Sequence, residues 1–308
     1  PPPPPPPPPP LLTDTATTEI YTGLYSSAAS DVYKRQRWQK TARQRSLPSK
    51  HVIIRATDSR HKLPRRFNIL SYNIQAGVDT QCYREYVTKG WKHVLPHRER
   101  LRNLNRMASM LSNYDMVSLQ EVDAGSLRSG FVDITEYLAH RAGFPHWYHQ
   151  INRNMGLLAR HSNGFLSHFE PRKVSHHKLP GGPGRGAMIL EFGSSPNDLL
   201  LCSLHLALGR RSRGKQLDFV SELVQDRKNV VVMGDLNASC DATEVRSFVS
   251  GNGLQEAACD QATFPSWRPV RRIDHILVSH SLRVTKAQVV DYPLSDHLPI
   301  SVELEMPR

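Results

Sequence analysis

The sequence predicts an α/β protein, and three observations carry that expectation. Val230-Val231-Val232-Met233 is an unbroken apolar run that stops at Gly234, the pattern of a strand buried on both faces. Residues 199–206 repeat the pattern. Segments of helical period separate such runs, led by residues 98–111, where Leu101, Leu104, Met107, Ala108 and Leu111 share one face. The 308 residues suffice for one large domain or two small ones, and an apolar content of 39% allows a packed core.

Composition excludes some classes. No apolar run approaches the roughly 20 residues of a membrane helix. Cys82, Cys202, Cys240 and Cys259 form no closely spaced ligand pair and read as reduced thiols, which leads to the expectation of a cytoplasmic protein; a monomer is expected as well. The net charge of +12 invites a nucleic-acid reading, but residues 1–66 hold +8 of it and residues 67–308 only +4.

Ten prolines open the chain as an extended polyproline stretch. Residues 1–36 read as a disordered, low-complexity tail. Its end, Val32-Tyr33-Lys34-Arg35-Gln36, looks like translated adapter sequence, so the tail is set aside as an artefact; the alternative is a natural Pro-rich arm that docks a partner domain. Residues 37–66 form a basic linker or arm, either solvated or drawn to an anionic surface such as a membrane periphery. Val52-Ile53-Ile54 within it is expected to pair as a short strand. Residues 67–308 remain as the folded domain.

Residues 67–74 alternate as a strand does and end at Asn73, either a strand-end cap or a site residue. Residues 98–111 are the first helix. Residues 115–122 are the next strand, ending at Glu121, a carboxylate that is either solvated or compensated by a cation. Residues 133–142 read as a helix with Ile134, Tyr137, Leu138 and Ala142 inward. Asn163-Gly164 predicts a turn before a strand. The glycine-rich loop 180–186 precedes a strand at 187–192, with Arg185 at its start as surface charge or phosphate contact. The strand 199–206 carries His205, a core histidine or a catalyst. Arg210, Arg211, Arg213 and Lys215 open a helix through Leu217, Val220 and Leu223, a solvated cluster or a phosphate site. Asp235 and Asn237 follow Gly234 two residues apart, so on extended backbone both point to one side. Residues 243–250 are helical, residues 271–278 form a strand carrying Asp274, and Asp296-His297 precede the last strand.

The ordered set Ser-Tyr-Asn-Ile at 71–74, Leu-Gln-Glu-Val at 119–122, Ser-Leu-His-Leu at 203–206, Gly-Asp-Leu-Asn at 234–237, Arg-Ile-Asp-His-Ile at 272–276 and Ser-Asp-His at 295–297 resembles the endonuclease/exonuclease/phosphatase superfamily. That group includes DNase I, abasic-site endonucleases, sphingomyelinases and inositol polyphosphate phosphatases. The chain looks most similar to its bacterial single-domain members of unassigned substrate. The resemblance implies an α/β (α+β) fold, a four-layer αββα sandwich of two packed mixed β-sheets, with residues 67–308 as the catalytic domain. It implies Glu121, Asn73 and Asp296 as metal ligands and Asp235 as the residue that orients and deprotonates water. It further implies Asn237 at the phosphate, His297 as the active-site imidazole paired with Asp274, and His205 as a second histidine. Asn163 matches the motif asparagine near the phosphate only loosely, because His161-Ser162 departs from the usual pattern.

The residue types agree with that chemistry. Phosphoryl transfer needs an in-line nucleophile and compensation of charge on the phosphoryl oxygens. Hard oxygen ligands select Mg²⁺ or Mn²⁺. The expected activity is therefore a divalent-metal-dependent phosphoesterase, foremost a phosphodiesterase, with Asn237, His205, Asn163 and Arg185 at the substrate phosphate. A DNA or RNA nuclease using Arg210–Lys215 and Arg268–Arg272 as a groove is one alternative. A phospholipid or inositol-phosphate phosphatase is another, and a non-catalytic binding module is the least favoured.

Overall fold

Strand alternation sorts the apolar residues of this chain into three cores, and those three cores define four layers. The structure, a computed structural model, describes residues 51–56, 63–77, 98–194, 198–258 and 261–307. The expected tail at 1–36 and most of the basic arm lie outside the described residues. Residues 49–308 form one unit.

One sheet has seven strands in the order β1-β6-β7-β8-β9-β11-β10. They span His51–Ala56 (β1), Lys173–Lys178 (β6), Gly186–Phe192 (β7), Leu199–His205 (β8), Val230–Asp235 (β9), Asp274–Ser279 (β11) and Leu254–Glu256 (β10). The other sheet has six in the order β12-β13-β2-β3-β5-β4. These are Arg283–Val289 (β12), Ile300–Glu305 (β13), Arg66–Asn73 (β2), Met116–Asp123 (β3), Arg160–Ser167 (β5) and His146–Asn154 (β4). Each sheet is mixed and centres on one parallel pair, β2 with β3 and β8 with β9. Four helices complete the fold: α1 (Arg98–Leu111), α2 (Ile134–Ala142), α3 (Arg210–Val224) and α4 (Thr243–Gly251).

Period 2 decides which side chain enters which core. In β9, Val231 and Met233 enter the core between the sheets, while Val230 and Val232 face the helix side. In β2, Ile69 faces the other sheet and Leu70 and Tyr72 face α1 and α2. Leu104, Met107, Ala108 and Leu111 of α1 are buried there, as the helical spacing predicts. Leu217, Val220 and Val224 of α3 and Val245 and Phe248 of α4 cover the seven-stranded sheet. The order is helix, sheet, sheet, helix, which is the expected four-layer sandwich. Each fully buried Leu, Ile or Phe contributes about 1.5–3 kcal/mol.

Local signals set the ends of the second helix. Asp133 caps α2 by accepting from Thr135 N at 3.0 Å and Glu136 N at 3.3 Å. Gly143, at φ 82°, ends it.

The structure corrects one turn. Asn163 and Gly164 lie inside β5, paired with Gln150 and His149 of β4. The dipeptide is a turn signal only where both residues are free to take positive φ. Here the ladder fixes them extended, and Gly164 is there for space: a Cβ on it would meet Thr135 Oγ1 at 2.6 Å. The short strand expected at Val52–Ile54 is β1, antiparallel to β6. Strands β4, β6, β10 and β12 carry no clear apolar pattern. β12 is an edge strand of Arg-Val-Thr-Lys-Ala-Gln-Val in which no residue is buried.

Candidate active site

The face between the sheets changes character along its length. Its middle is apolar, but toward one end the inward residues become Ser71 and Asn73 in β2, Ser118 and Gln120 in β3, Ser203 and His205 in β8, and Asp235 in β9. The two sheets are joined there by hydrogen bonds. Ser118 Oγ lies 2.6 Å from Ser203 Oγ, and Asn73 Nδ2 donates to Asp235 Oδ2 at 3.1 Å. Both parallel pairs thus end at one place, where strand termini collect ligands.

Antiparallel neighbours deliver the remaining groups to the same end. Asp274 opens β11 in register with Asp235. Gly186 pairs with His205, which sets Arg185 beside it. Asp296 and His297 precede β13, whose first residue Ile300 pairs with Ser71. Ser295 fastens this segment by donating to Asn73 O at 2.7 Å.

Three backbone features aim the side chains. Gly234 has φ 146°, and a Cβ on it would sit 1.9 Å from Leu204 O, so only glycine fits between β8 and β9. Asn237 has φ 52°, a left-handed conformation that asparagine tolerates. Glu121 has φ 54° within a bulge between Leu119 and Val122. Leu119 and Val122 both pack on the helix side, so the extra residue shifts the alternation and turns Glu121 toward the site.

The charges are strongly coupled. Asp235 is buried, accepts from Asn237 N at 2.8 Å, and lies 3.4 Å from His205 Nε2 and 4.0 Å from His297 Nε2. Burial and the Asp274 carboxylate raise its pKa to about 7, against the pull of His297. Asp274 Oδ2 accepts from Thr263 Oγ1 at 2.6 Å and from His297 Nδ1 at 2.7 Å. Burial works against a charge on His297, but Asp274 outweighs it and lifts that pKa to about 10. The imidazole is therefore a cation at neutral pH, with Phe264 at 4.9 Å between ring centres. Asp296 is raised to about 6, by burial first and by Glu121 after the opposing effect of His297.

His205 is held neutral. Burial depresses its pKa well below the ordinary range, and the nearby charges of Arg185 and His297 add to this. Arg185 Nη1 lies 2.8 Å from His205 Nδ1 and 2.7 Å from Nε2. A neutral ring has one acceptor, so only one of these contacts is a hydrogen bond. Nδ1 accepting from Arg185 leaves Nε2–H directed at Asp235. Burial lowers the Arg185 pKa, while Glu121 and Asp235 oppose that fall.

Among the expected residues, Asn73, Glu121, Arg185, His205, Asp235, Asn237, Asp274, Asp296 and His297 meet at this end. Asn163 is buried in β5 and donates to Gly186 O at 3.2 Å, beside Arg185. Asn237 Nδ2 donates to Leu206 O at 2.9 Å, which leaves one N–H for a ligand. The basic cluster is divided. Arg213 is buried against Glu244 at 2.7 Å, and Arg210 reaches the same carboxylate at 3.4 Å. Arg272 pairs with Asp241 at 3.2 Å.

Sequence reasoning missed Thr263, Phe264, Ser295 and His161. His161 stands near Glu121, its pKa lowered by burial and Arg128 against the Glu121 charge. Ser295 sits within the Ser-Asp-His motif, and that motif is the signal that points to it. Thr263 and Phe264 carry no pattern of their own.

The donor set suits a hard cation. Glu121, Asp296 and Asn73 offer oxygens, and Glu121 and Asp274 lie close enough to raise the pKa values of Asp235 and Asp296, with burial the larger cause for both. Asp235, Asp274 and His297 also offer ligand atoms within 4.8 Å of one another. There, however, His297 Nδ1 and Asp274 Oδ2 already satisfy each other as a hydrogen-bonded pair.

Residues 70–297 match the Endonuclease/Exonuclease/phosphatase family. The chain belongs to that family. Its members act on phosphate esters. An endonuclease/exonuclease/phosphatase from Beutenbergia cavernae is similar in fold, with TM-score 0.63 and 20% identity over 79% of this chain and 72% of that one. A mannosyl-6-phosphatase from Bacteroides thetaiotaomicron aligns with TM-score 0.58 and 18% identity over 77% and 99%. The human Nocturnin catalytic domain with bound sulfate aligns with TM-score 0.57 and 19% identity over 80% and 96%. No curated protein matches the chain in sequence.

Proposed function

We propose that this member of the family is a divalent-metal-dependent phosphoesterase, foremost a phosphodiesterase, that uses water activated by Asp235. The supporting observation is the Asp235 carboxyl itself. It is buried between Asn73, Asn237, His205 and His297, with a pKa raised to about 7. A general base works best with a pKa near the operating pH.

The chain's residues divide the work. Asn73 Nδ2 and Asn237 N fix both Asp235 oxygens, so the carboxylate points at one water position. Asp235 accepts the proton as that water attacks phosphorus. His297 Nε2–H, held by Asp274, donates to a phosphoryl oxygen, and Arg185 adds a second positive charge across the site. Asn237 contributes its remaining N–H. Asn163 holds the backbone at Gly186 and thereby the position of Arg185. Mg²⁺ or Mn²⁺ at Glu121, Asn73 and Asp296 would polarise the phosphoryl group and stabilise the leaving oxygen.

Asp235→Asn tests this reading. The amide is isosteric and keeps an acceptor for Asn237 N, but it cannot take a proton. Turnover of bis-p-nitrophenyl phosphate is expected to fall by about 10²–10⁴-fold with circular dichroism unchanged. Wild-type turnover in the variant would refute it. Inositol phosphates, phospholipid and plasmid in parallel assign the ester class. The ion pairs on Arg210, Arg213 and Arg272 leave less free positive charge for a nucleic-acid groove.

A further inference from the structure

Exposed apolar side chains crowd the end of the sandwich that carries the candidate site. Seven large ones are exposed among the described residues, and all seven lie at this end. Met155, Leu157 and Leu158 form the turn between β4 and β5, and Ile151 lies in the same hairpin. Phe131 stands on the loop after β3. Leu208 follows β8 and Val270 precedes β11. Leucine at a hairpin tip is unexpected, because turns favour Gly, Asn, Asp and Ser. Leu157 is 69% exposed and Phe131 62%.

A hydrogen-bonded frame holds these side chains outward. Leu127 N donates to Leu157 O at 2.7 Å and Arg128 N to Leu158 O at 3.3 Å, which ties the tip to the loop after β3. That loop is anchored on buried Asp123, which accepts from Ser126 N at 2.8 Å, Ser126 Oγ at 2.7 Å and Ser129 Oγ at 2.8 Å. Phe131 N donates to Ser126 O at 2.7 Å. The hairpin itself, residues 146–167, contains no Asp or Glu and carries Arg153 and Arg160. Arg153 is exposed within the hairpin, and half-buried Arg160 closes the turn opposite Asn154.

We propose that this hairpin tip, with Phe131 beside it, inserts into an anionic lipid surface and sets the candidate site against lipid-borne phosphate esters. Protruding apolar side chains beside an exposed arginine, on a hairpin without an acid, suit the boundary between anionic head groups and acyl chains. A tip of this size offers a few hundred Å² of apolar surface, a contiguous patch large enough to mark a membrane-facing or binding surface. Aliphatic side chains give bases nothing to stack on, which disfavours single-stranded nucleic acid. Insertion stands on the surface alone; the lipid substrate rests also on the phosphoesterase reading above.

Co-sedimentation with vesicles tests the proposal. The full chain is mixed with vesicles of phosphatidylcholine alone or of three parts phosphatidylcholine to one of phosphatidylglycerol. Wild type is expected to partition into the anionic vesicles. Leu157→Glu/Leu158→Glu should lower that partition by about tenfold or more. The same variant should keep hydrolysis of bis-p-nitrophenyl phosphate within about twofold of wild type. Leu157→Asn/Leu158→Asn repeats the test without added charge. Wild type that stays in the supernatant with anionic vesicles overturns the proposal and leaves a protein partner as the reason for the patch. Both variants sedimenting like wild type also overturns it and moves lipid contact elsewhere on the chain. Vesicle binding that depends on the leucines, in a protein inert toward every ester with Mg²⁺, would support insertion and reject the chemistry.

Discussion

Asp274→Asn isolates the charge of one buried group without changing its shape. The new amide oxygen can still accept from His297 Nδ1 and Thr263 Oγ1, which now lie 2.7 Å and 2.6 Å from Asp274 Oδ2. The negative charge is gone, and it is the largest influence holding the His297 pKa at about 10 against burial. Without it the imidazole pKa falls, with burial pulling it down and the charges of Asp235 and Asp296 still holding it up. At pH 7.5 the wild-type ring is charged, whereas a variant ring brought down to the ordinary imidazole value of about 6.5 is charged about one time in ten. If the cation stabilises the transition state, kcat/KM at that pH drops by up to about tenfold, or about 1.4 kcal/mol. The shape of the profile is the sharper test. Asp274 also raises Asp235, so its removal lowers the pKa of the base. Both limbs of the bell should therefore move to lower pH, the acid limb from about 7 and the alkaline limb from about 10. A bound cation lowers the acid limb in both proteins and leaves the difference between them. A pH–rate series on a soluble ester measures it. An unshifted alkaline limb would refute the role given to the pair.

Other consequences follow from the same geometry. Chelation with EDTA should abolish turnover, with Mg²⁺ or Mn²⁺ restoring it; full activity after exhaustive chelation would remove the metal. Gly234→Ala forces a Cβ against Leu204 O and should cost about 3 kcal/mol or more, seen as a melting temperature lower by roughly 6–12 °C. Buried His275 bridges Glu256 Oε1 at 2.6 Å and Ala238 O at 2.7 Å, two acceptors that require both ring nitrogens to carry protons. Burial opposes that charge, but Glu256 raises the His275 pKa, while the same pairing overcomes burial to lower Glu256. The pair's stabilisation is thus complete between the ordinary Glu and His values, about 4.3 and 6.5. It is lost as pH rises through the raised histidine pKa or falls through the lowered glutamate pKa. Glu256→Gln should lower the melting temperature most near pH 6 and progressively less toward pH 9; an equal loss at every pH would contradict the linkage.

Much of the fold was legible because burial writes itself into strong patterns. Residues 98–111 announced α1 through five apolar positions at helical spacing. Val230–Asp235 announced β9 because a strand covered on both faces has no reason to alternate. The weak patterns belong to strands whose outer face meets water, such as β4 and β12. Asn163-Gly164 misled because its dipeptide preference yielded to the ladder between β3 and β4.

The candidate site divides in the same way. The sequence by itself determined the chemical inventory: the acids, amides and imidazoles at strand ends, and glycine at 234 where no side chain fits. Each such residue sits in a short motif with fixed neighbours, so local order preserves it. Only the tertiary structure decided their company. It set Asn73 across the sheets from Asp235, gave His297 to Asp274 and Thr263, and spent Arg213 on Glu244. These partners are 11 to 162 residues apart, and no local period connects them. The pKa values near 7 for Asp235 and 10 for His297 arise there too, because burial and neighbouring charge are properties of the folded site and not of either residue alone.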